Sequence, residues 1–272
     1  MKVLVVGTGY VGLTTGVALA YLGHKVTCLD IDENKVMLLR QGTSPIYEPG
    51  LPDLMSLAKA NLSFTSSYDE VDFTSLDVVF IAVGTPSLPD GSADLSQVQS
   101  AAEAVGARLS GHFTIVVNKS TVPIGSGSWV TSLVRDAYSR HTGAKADGSY
   151  AIASNPEFLR QGTAVFDTLY PERIVIGADD ERAIDILTNL YRPVLNQGFP
   201  APAFLPRPEK LSAVPVVTCD LASAELIKYA ANAFLAVKIS FVNEMSRLTS
   251  RVGADILQVT RGIGLDSRIG SR

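Results

Sequence analysis

Short, unbroken apolar runs alternate with mixed stretches through the first two-thirds of the chain. Residues 2–7, 25–30, 76–83, 114–118, 150–154 and 173–177 are rich in Val, Ile and Ala and read as strands. Between them, residues 10–22, 33–40, 97–109 and 126–139 repeat apolar positions at helical spacing. Strands that are apolar at nearly every position are covered on both faces, which predicts a parallel sheet with helices on each side. The expected fold class is α/β: a doubly wound, Rossmann-like parallel sheet.

The texture changes after residue 198. Five prolines fall between Pro200 and Pro215, so residues 199–215 read as a linker or exposed loop. A strand-like run at 216–219 then leads into 221–252, which contains neither Gly nor Pro and is ended by Gly253. As one helix this stretch would span about 48 Å. Phe234, Val237, Phe241, Met245 and Leu248 keep a single apolar stripe along it. A helix of that length bridges domains or packs on a second subunit, and one more short helix follows it. Three segments are expected: a domain at 1–198, the Pro-rich 199–215, and 216–272 with the long central helix.

Composition narrows the function classes. Of 272 residues, 46% are hydrophobic and 18% charged, against about 25% charged in an average domain. Mean hydropathy is +0.22, which excludes a disordered chain. A net charge of −4 and a pI near 5.4 argue against nucleic acid or an anionic membrane as partner. Cys28 and Cys219 are too few for a disulfide framework and suit a reducing, cytoplasmic setting. His24, His112 and His141 lie far apart, with no metal-ligand spacing around them. Residues 1–23 are apolar, yet they hold one lysine, five glycines and three threonines, unlike a leader or a membrane span.

The glycines have a better use. Gly7-Thr8-Gly9-Tyr10-Val11-Gly12 ends a predicted strand and opens a helix, and Asp30 closes the next strand. That is the dinucleotide-binding pattern in its full context. Gly7 allows the turn, Gly9 lets backbone amides approach a pyrophosphate, and Gly12 lets the helix pack closely on the sheet. A carboxylate at Asp30 accepts from both ribose hydroxyls and repels a 2′-phosphate, so NAD is expected over NADP.

Further motifs are more specific. Gly84-Thr85-Pro86, Lys119-Ser120-Thr121-Val122-Pro123, Asn155-Pro156-Glu157-Phe158-Leu159-Arg160 and Glu225-Leu226-Ile227-Lys228-Tyr229-Ala230-Ala231-Asn232-Ala233-Phe234 occur in that order. With the fingerprint, they resemble the UDP-glucose/GDP-mannose dehydrogenase family over residues 1–272, interrupted mainly by the Pro-rich stretch. Gly264-Leu265-Asp266-Ser267-Arg268-Ile269-Gly270 is more similar to the UDP-glucose branch. The resemblance implies a two-step, NAD-dependent oxidation of a nucleotide sugar, UDP-glucose to UDP-glucuronate, through a cysteine thiohemiacetal and thioester.

Carried over by motif, Asp30 and Lys35 hold the adenosine ribose. Val11 and Thr85 line the cofactor site, together with Gly7, Gly9, Tyr10, Gly12, Thr121 and Gln161. Thr121 and Glu157 position the hydrolytic water, with Glu157 as base. Phe158, Leu159 and Arg160 meet the nucleotide sugar, Lys228 and Asn232 sit at the reacting carbon, and Arg268 reaches a phosphate, in a homodimer built on the long helix. Lys228 and Asn232 are four apart and share a helix face, where a cation and an amide stabilise charge on an oxygen. Plainer readings stand beside these: Lys228 pairing with Glu225 on a solvated face, Glu157 answering a helix dipole, and Thr121 as an N-cap. Tyr47-Glu48-Pro49-Gly50 also resembles the family, with a turn followed by a helix start as its plainer reading.

Two departures from the family pattern stand out. Gln161 replaces an acid and cannot serve as a base. The family's nucleophilic cysteine lies in a Gly-Gly-Ser-Cys segment beyond residue 272, so a fragment lacking that thiol and the C-terminal nucleotide-sugar domain is expected. Two other classes remain open: a non-catalytic NAD-binding and dimerisation module, and a one-step dehydrogenase of the hydroxyacid type.

Overall fold

The computed structural model describes residues 1–143 and 148–270, in two compact units, Met1–Leu226 and Ile227–Arg272. Among these residues, the first unit carries an eight-stranded sheet. Its strands are β1 (Lys2–Val6), β2 (Lys25–Leu29), β3 (Leu62–Thr65), β4 (Val78–Ile81), β5 (Thr114–Asn118), β6 (Tyr150–Ser154), β7 (Ile174–Ala178) and β8 (Val216–Cys219). Their spatial order is β3-β2-β1-β4-β5-β6-β7-β8. The helices are α1 (Tyr10–Tyr21), α2 (Glu33–Arg40), α3 (Leu51–Ala58), α4 (Ser96–Gly106), α5 (Ser126–Thr142), α6 (Ala164–Leu169), α7 (Glu181–Leu195), α8 (Leu221–Val252) and α9 (Ile256–Gly264).

Strand alternation divides the core into two layers. Val3, Val5, Val78, Phe80, Ile115 and Val117 face one side, with Leu13 and Val17 of α1, Leu54 of α3 and Leu187 of α7. Leu4, Val6, Val79, Ile81 and Val116 face the other, with Val98 of α4 and Val130 of α5. Leu4, Phe80 and Ile115 are fully buried, worth roughly 1.5–3 kcal/mol each. Helix α1 is buried continuously from Gly12 to Ala20, which accounts for the apolar N-terminal stretch as core.

The sheet departs from the all-parallel expectation. Strand β7 pairs antiparallel with β6, and β8 pairs parallel with β7, so the last two strands run against the other six. Helix α6 has only six residues, about 9 Å of rise. That cannot return the chain along the roughly 17 Å of a five-residue strand, so the chain re-enters from the end it left.

The Pro-rich stretch 199–215 forms neither helix nor strand, but it is tied down. Pro200 O accepts from the Tyr21 hydroxyl at 2.6 Å and Leu205 O from that of Tyr170 at 2.9 Å. Val214 N donates to Leu195 O at 2.8 Å. Within α8, Phe234, Val237, Phe241 and Leu248 are between 50% and 68% exposed. No helix of the described residues is long and apolar enough to cross a membrane.

Candidate cofactor and active site

Strand order reverses between β1 and β4, and in open α/β sheets ligands bind outside the carboxyl ends of the strands at that switch. The turn from Gly7 to Gly12 lies there. Gly7 has φ +96°, and a Cβ on it would meet Ala82 O, at the end of β4, at 2.6 Å. A Cβ on Gly12 would lie 2.0 Å from Gly7 O, whereas one on Gly9 would meet nothing within 4 Å. The turn is therefore closed toward the sheet and open toward the crevice. No side chain caps α1 at its Gly9 N-cap, and no acid occupies its first turn. Uncapped amides at a helix start suit an anionic pyrophosphate.

Asp30 follows β2 and is 8% exposed. Its Oδ2 accepts from Thr8 N at 2.8 Å and Thr8 Oγ1 at 2.7 Å, and its Oδ1 accepts from Asp32 N at 3.0 Å. Lys35 Nζ lies 3.8 Å from Oδ2. Burial alone would raise the carboxyl's pKa, but the Thr8 hydroxyl, the Asp32 and Thr8 amides and the Lys35 charge hold it below its ordinary value. A carboxylate has about four acceptor positions. Three are used within the protein, leaving one for a ribose hydroxyl where the sequence suggested two.

The ends of β4 and β5 are stitched together. Thr85 Oγ1 donates to Thr121 O at 2.9 Å, and Ser120 Oγ to Val83 O at 2.8 Å. Helix α5 begins at Ser126 with Gly125 as N-cap, so Thr121 is not a cap and stands half-buried in the loop before it. The amides of Gly125 and Gly127 donate instead to the two carboxylate oxygens of Glu225, at 2.6 and 2.7 Å. Glu225 is 3% exposed, which overturns the reading of a solvated Glu225–Lys228 pair.

After β6 comes the segment 155–163, which is not helical. Its first residue is riveted in place. Asn155 Oδ1 accepts from buried Lys119 Nζ at 2.9 Å and from the Tyr191 hydroxyl at 2.6 Å, and Asn155 Nδ2 donates to Val175 O at 2.7 Å. Burial pushes the Tyr191 phenol pKa well up. Glu157 is half-buried, and its Oε2 accepts from Leu159 N at 2.6 Å. It sits in a loop, so the helix-dipole reading fails. The Arg173 guanidinium lies over the Phe158 ring, 4.0 Å from its centroid. Leu159 is half-buried and Gln161 exposed.

The Arg160 guanidinium is held by both carboxylate oxygens of Asp167, at 2.5 and 3.1 Å. Tyr10, at the start of α1, reaches the same segment: its hydroxyl accepts from Gly162 N at 2.9 Å and donates to Glu48. Burial first, and then that bond, push the Tyr10 phenol pKa up to about 12. Val11 packs against the layer around β1. Glu48, Thr8, Asp167, Tyr191 and the capping role of Glu225 were not assigned from sequence. Thr8, Glu48 and Glu225 each fall inside a quoted motif, whereas Asp167 and Tyr191 gave no signal.

Neither thiol is activated. Burial pushes Cys28 up to about 12, and burial with the Asp220 charge raises Cys219; a nucleophilic thiol needs the opposite shift. In the second unit, Lys228 and Asn232 lie one turn apart on α8. The Arg268 guanidinium pairs with Asp266 at 2.6 Å.

Residues 1–195 match the NAD binding domain of the UDP-glucose/GDP-mannose dehydrogenase family, and residues 222–272 its central domain. The UDP-glucose 6-dehydrogenase YwqF of Bacillus subtilis is 44% identical over 274 residues, covering 100% of this chain and 56% of that protein. The UDP-glucose 6-dehydrogenase of Rhizobium meliloti is 48% identical over 278 residues, covering 100% and 58%. Among solved structures, a UDP-glucose dehydrogenase from the archaeon Pyrobaculum islandicum superimposes with a TM-score of 0.86 at 42% identity, covering 100% of this chain and 58% of that one. The chain thus spans about half the length of the curated relatives it matches. Its fold, its strand-end motifs and its matched domains make it a member of the UDP-glucose/GDP-mannose dehydrogenase family.

Proposed function

We propose that this chain is the cofactor-binding half of an NAD-dependent enzyme that oxidises UDP-glucose to UDP-glucuronate in two steps. The observation that carries this reading is the gathering of the fingerprint turn, Asp30, Thr85, Thr121 and Glu157 at the carboxyl ends of neighbouring strands. The names of the relatives support the substrate. NAD, when bound, accepts hydride from the sugar's C6 carbon.

The chain's own residues do the rest. The open amides after Gly9 bind the pyrophosphate, while Asp30 and Lys35 hold the ribose and disfavour a 2′-phosphate. Tyr10, Val11, Thr85 and Gln161 line the cofactor. Glu157 takes the proton from water that Thr121 helps to orient. Lys228 and Asn232, one helical turn apart, stabilise charge on the substrate's oxygen. Phe158 and Leu159 meet the nucleotide sugar. Arg160 acts through the loop conformation that its pairing with Asp167 sets, and Arg268 meets a phosphate. Neither Cys28 nor Cys219 is the nucleophile.

The exposed apolar stripe of α8 supports a second copy of this chain as partner, and its two free thiols suit the cytoplasm. The test uses the purified 272-residue chain with NAD, NADP and UDP-glucose. It should bind NAD more tightly than NADP and form no UDP-glucuronate alone. UDP-glucuronate in the product would overturn the exclusion of both thiols, and absence of NAD binding would overturn the cofactor assignment.

A further inference from the structure

The buried carboxylate of Glu48 lies outside the cofactor and catalytic sets above, yet it joins three segments that are distant in sequence. Glu48 is 2% exposed. Its Oε1 accepts from Ala164 N at 2.7 Å, and its Oε2 accepts from Gly162 N at 2.8 Å and from the Tyr10 hydroxyl. The Gly162 amide is shared with the Tyr10 oxygen, at 2.9 Å. A buried carboxylate is tolerated only when donors meet its oxygens. Here all of these donors come from the other two segments, the start of α1 and the loop leading from Glu157 into α6.

We infer that Glu48 is a positioning residue that, through Tyr10, latches the 157–164 segment to the cofactor turn. The linkage part rests on the NAD reading of that turn. Tyr10 is the first residue of α1 and follows Gly9, the glycine whose side faces open space. A ligand that orders the turn therefore also orders the phenol gripping Gly162. The coupling is reciprocal, so a ligand held by 157–160 strengthens cofactor binding by the same factor.

Site-resolved hydrogen exchange on the 272-residue chain tests this. In Glu48→Gln, the side-chain amide turns a donor toward the donors it replaces an acceptor for. One carbonyl oxygen remains, so whichever of the Gly162 and Ala164 amides then faces the new amide group should exchange at least tenfold faster, with those of β1 and β4 unchanged. Tyr10→Phe removes one acceptor of Gly162 and leaves Glu48 on Ala164, so only Gly162 should speed up. A general loss of stability would move both amides together with the strands. Saturating NAD should slow Gly162 exchange in the wild type, and this slowing should be lost in Glu48→Gln.

Exchange at Gly162 and Ala164 within twofold of wild type in Glu48→Gln would overturn the latch. Equal NAD-induced slowing in wild type and Glu48→Gln would overturn the linkage. Calorimetry run alongside separates the two readings: no NAD binding by the wild type overturns the cofactor assignment and the linkage with it, while the ligand-free exchange still decides the latch.

Discussion

The carboxylate of Asp30 grips Thr8 twice, taking its amide at 2.8 Å and its hydroxyl at 2.7 Å on the same oxygen. The end of the second strand thus fixes the second residue of the fingerprint turn, and Asp30 shapes the cofactor site as well as touching it. Asp30→Ala should weaken NAD binding by about 1–3 kcal/mol, the range for charge-assisted hydrogen bonds, and narrow the preference over NADP. Calorimetry with both nucleotides checks this; unchanged NAD affinity would exclude the ribose contact.

Glu225 supplies both acceptors for the first amides of α5. Glu225→Ala leaves those donors without their carboxylate and should cost about 1.5–3 kcal/mol of stability, read by denaturant unfolding. Glu225→Gln should cost less, because one carbonyl oxygen remains. A loss below 0.5 kcal/mol for the alanine variant, about the noise of a surface change, would show that the cap is unimportant.

His24 is 9% exposed, with Nε2 3.0 Å from Leu190 O. Burial depresses its pKa below the ordinary value of 6.5, with the N-terminal charge adding to it, against the raising effects of the Leu190 carbonyl and Asp77. The folded state thus binds this proton less readily than the unfolded one. Its stabilising contribution is complete above pH 6.5 and is lost as pH falls from there through the folded pKa. Melting temperature should drop from pH 7.5 to 5.5, and His24→Gln should flatten that slope. An equal slope in the variant would assign the effect elsewhere.

The raised thiols make a chemical prediction. Cys28 is fully buried against α1 and shifted to about 12, and Cys219 is shifted the same way. In the native protein at pH 7.5, iodoacetamide should leave Cys28 unmodified and modify Cys219 no faster than a free cysteine. Rapid alkylation of Cys219 would mark it as activated and reopen its role.

Much of this was legible because it is local. The unbroken apolar runs of β1, β4 and β5 announce burial on both faces, and 221–252 shows its helix by the absence of Gly and Pro. Other elements carry weaker signals. Strand β3 is a four-residue edge strand with one buried residue, so it has no apolar run, and α7 carries Pro193 within it. Strand direction leaves no mark on an apolar run, so the reversal of β7 and β8 could not be read. Within the site, motif residues were visible as side chains, but what holds them was not. Gly162 and Ala164 lie more than a hundred residues from Glu48 and contribute only backbone amides, which no residue type records.

The cofactor assignment places NAD on the turn at the β1/β4 switch point. Amide chemical-shift mapping of the isotope-labelled chain titrated with NAD tests it most directly. Saturable shifts are expected at Gly9, Tyr10, Val11, Gly12, Asp30 and Thr85, weaker ones with NADP, and none at Lys25 or Asn61, which lie at the amino ends of β2 and β3. Shifts confined to residues away from the switch point, or none at saturating NAD, would contradict it.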